Sequence, residues 1–207
     1  MGIKEFLKKS KEELCAKNFW KALRAEFFGT MLYVIFGCSC AVSTKESSTF
    51  YFASVLSFGL SFATLSKCLG QISGGHFNPA ITVALLCTRY TTVLKGLFYI
   101  LAQISGSVCG AGILYGLIPK DYHNNLGISK VNVDNARAFG TEFLATFVVI
   151  FSYFSTLENK NNVLVPDPLI CGLAVSLSQL FAVSIFFTNI SFFRIFSNYY
   201  CIVVIKF

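Results

Sequence analysis

Long apolar stretches separated by short polar breaks dominate the pattern of this chain. A helix that crosses a bilayer needs about 20 mostly apolar residues. Stretches of this kind run over 22–42, 50–69, 93–118 and 138–157, and another begins near residue 169 without a clear end before residue 207. The pattern predicts an all-α membrane protein with a helix in each stretch.

One apolar segment between the second and third stretches is too short to cross. It reads HFNPAITVALL, about a dozen residues, and is typical of a re-entrant or half-spanning segment. Gly74 and Gly75 precede it and permit unusual backbone angles. Asn78 suits a helix N-cap and Pro79 suits the first helical position. We therefore expect an extended glycine-rich stretch and then a short helix from Asn78, lining a cavity inside the membrane.

A weak internal repeat relates the two parts of the chain. Residues 26–30 read EFFGT and residues 142–146 read EFLAT, and Gly59 in the second stretch corresponds to Gly172 in the fifth. Membrane channels and transporters often consist of inverted repeats whose half-helices meet at the midplane. The pattern predicts an inverted-repeat helical bundle with a re-entrant half-helix.

The repeat also places two acidic residues at matching positions inside apolar stretches, Glu26 and Glu142. Charge at membrane depth is costly, so such residues usually have a structural or functional role. They either bond loop backbone and hold the half-helices, or lie at headgroup level near helix N-termini. Their matching contexts favour the first interpretation.

Small residues are dense in the third stretch, where Gly106 and Gly110 form a GxxxG pattern. Such a face lets membrane helices approach closely. We expect this helix to pack tightly against a neighbour.

Composition and charge agree with a membrane protein. Only 13% of the residues are charged, against about 25% in soluble domains. The net charge is +7, and basic residues concentrate in the first 24 positions: Lys4, Lys8, Lys9, Lys11, Lys17, Lys21 and Arg24. The positive-inside rule explains this cluster better than nucleic-acid binding does, so residues 1–21 are predicted to be a cytoplasmic basic segment.

Catalytic and metal-binding patterns are missing from the sequence. The eight cysteines are scattered, and the Cys38-x-Cys40 pair has no second pair to complete a zinc site. Two histidines and no paired nucleophile and base give no basis for catalysis. We expect no enzyme, no metal and no cofactor.

The segment around Asn78 has a chemistry suited to conduction. A half-helix that starts there directs the positive end of its dipole at the cavity, which repels cations. The Asn78 amide can donate a hydrogen bond to water, while the carbonyl groups of 73–76 form a ladder of acceptors. Selectivity would then come from pore radius, hydrogen-bond lining and the dipole barrier.

These motifs resemble the aquaporin family, the major intrinsic proteins. The matching pieces are AEFFGT, FGLSFAT, SGGHFNPAIT followed by CTR, FYILAQISGSVCGAGILY, GTEFLATF and CGLAVSLSQLFAV. They lie within 22–183, the predicted transmembrane domain. The resemblance implies six tilted helices and two half-helices that meet end to end, one pore in each subunit, and assembly as a homotetramer.

The resemblance also implies a set of pore residues. Asn78, Pro79 and Ala80 match the first family signature, and Gly74, Gly75 and His76 precede it as pore lining. Phe58 matches the aromatic residue of the narrow outer filter in water-selective members. Gln179 stands where those members often have histidine, which changes filter size and hydrogen bonding.

The C-terminal part departs from the family pattern. Gly59 precedes Asn78 by 19 residues, and the same interval after Gly172 leads to Ser191, so the second signature would align with 191–194. Either Arg194 takes the place of the filter arginine, or the match is a coincidence, which the unlike surroundings TNISFFRIFSNYY favour. A second half-helix and a sixth span together need about 30 residues, and 13 follow Arg194. We expect a divergent apolar segment over 184–207 and a C-terminally incomplete bundle.

Two functions follow from these expectations. The first is a passive water channel, in the plasma membrane, that excludes ions and protons, with other small neutral solutes as further candidates and the lipid bilayer as surroundings. The alternative is a non-conducting truncated subunit that interacts with full-length partners. Co-expression with a complete relative separates the two, since an unchanged water flux of that relative counts against the alternative.

Overall fold

The computed structural model describes residues 12–40, 48–119, 135–160 and 163–186. After a helical turn over 12–15, the elements in chain order are α1 (Lys17–Ser39), α2 (Ser48–Ser73), α3 (Pro79–Cys87), α4 (Val93–Leu117), α5 (Asn135–Ser155), β1 (Glu158–Lys160), β2 (Val163–Val165) and α6 (Pro168–Phe186). The helices predicted from the five apolar stretches and the short helix predicted after Asn78 are all present in the described residues. Helix α1 begins at Lys17 rather than at residue 22, because long charged side chains near a helix end can extend toward the headgroups while their stems stay apolar.

Three of the described helices are long and apolar enough to cross a membrane: Phe52–Ser73, Val93–Leu117 and Ala136–Ser155. The apolar part of α6 over Pro168–Ala182 is shorter. Helix α1 has a comparable length but includes Arg24 and Glu26. These two helices pack against the three longer ones. Helix α1 packs against α2 and α4, whereas α6 packs against α2 and α5.

Helix α4 packs closely on α1 through its glycines, which confirms the expectation for the GxxxG pattern. A Cβ atom on Gly110 would lie 2.5 Å from the Met31 carbonyl oxygen, and one on Gly106 would overlap the carbonyl of Phe27. Only a residue without a side chain permits backbone contact at this range. This contact brings the middle of α4 beside the middle of α1.

Helices α2 and α6 meet at the two glycines that correspond in the internal repeat. A Cβ on Gly59 would lie 2.6 Å from the Gly172 carbonyl oxygen, and one on Gly172 would lie 2.5 Å from that of Gly59. Ser176 Oγ donates to the Val55 carbonyl at 3.2 Å beside this contact. Equivalent residues that face each other are expected where two repeats are related by a two-fold axis.

The polar loop after α5 contains a short antiparallel ribbon that the sequence pattern did not predict. Strand β1 pairs with β2, with Lys160 opposite Val163. Val165 is buried, and its side chain lies 3.3 Å from the Cβ position of Gly70 at the end of α2. The ribbon therefore packs against the start of the glycine-rich stretch.

Candidate pore site

The short helix α3 begins as expected from the Asn-Pro pair. Asn78 is an extended N-cap at φ −147°, and its Oδ1 accepts from the backbone N–H of Ala80 at 2.8 Å. Pro79 occupies the first turn, where a missing N–H has no cost. Because a backbone N–H can only donate, this contact identifies Oδ1 as the capping atom. The other side-chain atom of Asn78, Nδ2, makes no hydrogen bond within the described residues.

The stretch before Asn78 depends on its glycines. Gly74 has φ 104° and Gly75 has φ 69°, a region in which side chains are strongly disfavoured. Phe77 also has a positive φ of 45°, which is unusual for a bulky residue. The surroundings must therefore hold Phe77 in place.

Glu26 is the centre of the contacts that hold this stretch. It is fully buried in the middle of α1. Oε1 accepts from Ser73 Oγ at 2.6 Å and from the backbone N–H of His76 at 3.1 Å. Oε2 accepts from the backbone N–H of Phe77 at 2.8 Å and from Gln103 Nε2 at 2.8 Å. Glu26 thus bonds loop backbone, which is the first of the two interpretations of its sequence position. All four contacts come from donors, as a carboxylate that can only accept requires.

Gln103 extends these contacts to the first turn of α3. Its Nε2 lies 3.0 Å from Thr82 Oγ1, and Thr82 Oγ1 lies 3.1 Å from both the Asn78 carbonyl and His76 Nδ1. One buried network therefore joins α1, the glycine-rich stretch, α3 and α4. Sequence reasoning missed Gln103, although an uncharged polar residue in an otherwise apolar span is a signal for such a role.

Two tyrosines that sequence reasoning also missed bind the carbonyl groups of the stretch. Tyr99 OH donates to the Ser73 carbonyl and Tyr153 OH to the Gly74 carbonyl, each at 2.9 Å. We expected all four carbonyls of 73–76 to be open acceptors. Instead two of them already accept from tyrosines, and those of Gly75 and His76 accept no bond from the described residues.

His76 lies between the same two tyrosines. Its ring centroid is 5.0 Å from that of Tyr99 and 6.2 Å from that of Tyr153, both in edge-on geometry. Aromatic rings at these distances and angles attract each other. The side chain therefore has two aromatic neighbours, and its 4% exposure shows that it is largely enclosed.

Phe58 and Gln179, the residues expected in the outer filter, are buried on the two helices that pack through Gly59 and Gly172. Phe58 on α2 is 2% exposed and Gln179 on α6 is 5% exposed. The Phe58 ring makes an edge contact with Tyr33 of α1, with centroids 5.6 Å apart. Both residues thus belong to the interior of the bundle.

The remaining two predicted site residues are Glu142 and Arg194. Glu142 on α5 is half-buried and makes no hydrogen bond within the described part of the chain. Arg194 and the whole stretch 187–207 lie outside the described residues. The counterpart of the Asn78 loop, predicted at 191–194, therefore also lies outside the described residues.

A comparison with protein families gives the decisive match. The model for the family described as "Major intrinsic protein" matches residues 13–197. The chain belongs to the major intrinsic protein family. The match extends past Val183, where the recognisable motifs end, and includes 191–194.

Among curated proteins, this major intrinsic protein is similar to aquaporins. It is 39% identical to aquaporin-5 of Sus scrofa over 184 residues, which cover 87% of this chain and 69% of that protein. It is 38% identical to aquaporin-4 of Mus musculus over 173 residues, which cover 80% of this chain and 54% of that protein.

A solved structure supports the fold. The X-ray structure of the aquaglyceroporin from Plasmodium falciparum matches with a TM-score of 0.65 at 20% identity, covering 83% of this chain and 74% of that one. The aquaporin-like helical bundle is thereby confirmed. Because the family consists of membrane channels for water or small solutes, the chain is an integral membrane channel protein and not an enzyme.

Proposed function

We propose that this chain is a passive, water-selective channel. The observation that carries the proposal is the cap of α3: Oδ1 of Asn78 binds the Ala80 N–H, so Nδ2 is the group available to a molecule in the pore. Water can accept from Nδ2 and donate to the carbonyls of Gly75 and His76. A cation finds a donor and the positive end of a helix dipole instead, which disfavours its passage.

The remaining pore residues keep the roles that the family resemblance implies. Gly74, Pro79 and Ala80 complete the signature that shapes the loop and the start of α3. Phe58 and Gln179 line the outer filter, and Arg194 is the candidate for its positive charge. An aromatic ring at the filter narrows it, which favours water over glycerol.

Replacing Phe58 with glycine tests the selectivity part of this proposal. Removal of the ring widens the filter, so we expect glycerol uptake into vesicles to rise severalfold over wild type while water still passes. The measurement is isotonic glycerol influx into proteoliposomes, followed by light scattering. Phe52→Gly is the matched control, since Phe52 lies on the same helix and is more than half exposed. Equal glycerol influx in wild type and Phe58→Gly contradicts a role for Phe58 in selectivity.

We also propose assembly as a homotetramer, in line with the family resemblance. Large apolar side chains cover the outward faces of α4 and α5, among them Leu101 at 62% and Phe143 at 60% exposure. In a membrane such faces contact either lipid or another subunit. Native mass spectrometry from detergent tests the proposal, and a mass of a single chain under mild conditions counts against it.

We propose that the N-terminus lies on the cytoplasmic side of the plasma membrane. It follows from the lysine and arginine excess before and at the start of α1. An N-terminal epitope tag on intact cells tests it. Antibody labelling of that tag without permeabilisation contradicts a cytoplasmic N-terminus.

A further inference from the structure

The Phe58 ring occupies space that a side chain on α1 would otherwise fill. An ideal Cβ built on Gly37 lies 2.5 Å from Cδ1 and 3.1 Å from Cζ of Phe58. Carbon atoms that are not bonded to each other attract at about 3.5–4.0 Å, so any residue larger than glycine at position 37 overlaps the ring. Gly37 is itself buried.

The two helices cannot separate easily at this level. Ser57 Oγ on α2 donates to the Phe36 carbonyl on α1 at 2.6 Å, so the residues next to Phe58 and Gly37 are joined by a hydrogen bond. The next residue of α2, Gly59, touches the backbone of Gly172 on α6. Helix α2 is therefore fixed between α1 and α6.

The ring also cannot slide along α1. Tyr33 lies one helical turn before Gly37 and meets the Phe58 ring edge-on. Tyr33 in turn makes an edge contact with Phe62, with centroids 5.9 Å apart. With both helices and this neighbour in place, a side chain at position 37 pushes the ring away from α1.

We propose that Gly37 is a specificity-determining position, because the space it leaves holds the Phe58 ring back against α1 and so sets the width of the outer filter. This inference rests on the proposed function, in which Phe58 lines that filter. Gly37 acts through Phe58 and is a positioning residue. The effect of a larger residue at position 37 on the filter width therefore depends on the size of residue 58.

Substitutions at both positions test this coupling. In proteoliposomes, Gly37→Ala is expected to lower water permeability per inserted protein severalfold, because the displaced ring narrows the filter. On a Phe58→Ala background, Gly37→Ala is expected to change the permeability little, since alanine lacks the ring atoms that the methyl group would meet. Gly112→Ala is the matched control, because a Cβ there meets nothing within 4 Å.

The outcomes are distinguishable. Wild-type vesicles no faster than empty ones refute the proposed function and this inference with it. Conducting wild type with an unaltered Gly37→Ala variant overturns the inference alone. If Gly37→Ala does not insert, the comparison of Phe58→Ala with the double variant Gly37→Ala/Phe58→Ala decides the inference. Equal permeability of the two supports the coupling, and a further severalfold loss in the double variant overturns it.

Discussion

Replacing Glu26 with glutamine is expected to lower both the water flux and the thermal stability of the channel. Glutamine has the size of glutamate, but its Nε2 donates and cannot accept. In one amide orientation the N–H of His76 loses its acceptor, and in the other the N–H of Phe77 does. A buried polar group without a partner costs about 1–3 kcal/mol, and about 1.4 kcal/mol already shifts an equilibrium tenfold. The preference of the loop for its native position should therefore weaken by about tenfold or more.

The measurement is water permeability per inserted protein, together with the melting temperature in detergent. Glu158→Gln is the matched control, because it makes the same change in an exposed residue whose ion pair with Lys160 contributes little. We expect the control to resemble wild type in both readouts. A Glu26→Gln variant with wild-type flux and melting temperature contradicts the role of Glu26 as the centre of the network.

Replacing Gly29 with alanine is the second change with a large expected effect. The ring of Phe77 lies on Gly29, and a Cβ there would be 2.5 Å from Cδ1 and 2.8 Å from Cζ. Phe77 is fully buried and its N–H is bound to Glu26, so the ring cannot withdraw without moving the loop. Overpacking of this kind costs about 1–3 kcal/mol, and here it acts on the residue next to Asn78.

We expect Gly29→Ala to melt at a lower temperature than wild type and to lose water flux. The second substitution Phe77→Ala removes the ring atoms that the methyl group would meet, so it should lower the melting temperature of Gly29→Ala less than that of wild type. Gly140→Ala on α5, where a Cβ meets nothing within 4 Å, should behave as wild type. If Phe77→Ala lowers the melting temperature of Gly29→Ala as much as it lowers that of wild type, the two sites are not coupled.

The bundle and the half-helix could be predicted from the sequence because their signals are local. Apolar length indicates a span, and the order Gly-Gly, Asn78, Pro79 encodes an extended stretch and a helix start within a few residues. Glu26 could be singled out because a charge inside an apolar stretch needs a reason. Each of these inferences could be made from a single short segment of the chain.

The partners of these residues could not be predicted, because they are distant in sequence. Tyr153 reaches the Gly74 carbonyl across 79 positions and Gln103 reaches Glu26 across 77. Nothing in an apolar span shows which tyrosine will face a loop and which will face lipid. The same limit applies to Gly37, whose importance depends on a ring in the next helix.

The water permeability of the purified wild-type chain, reconstituted alone, tests the central claim most directly. Proteoliposomes and empty vesicles of the same lipid are exposed to an osmotic gradient and followed by stopped-flow light scattering, with insertion measured in the same sample. We predict that the proteoliposomes shrink much faster than empty vesicles and remain closed to protons. Shrinkage at the rate of empty vesicles, with the protein correctly inserted, contradicts the water-channel proposal and favours a non-conducting subunit.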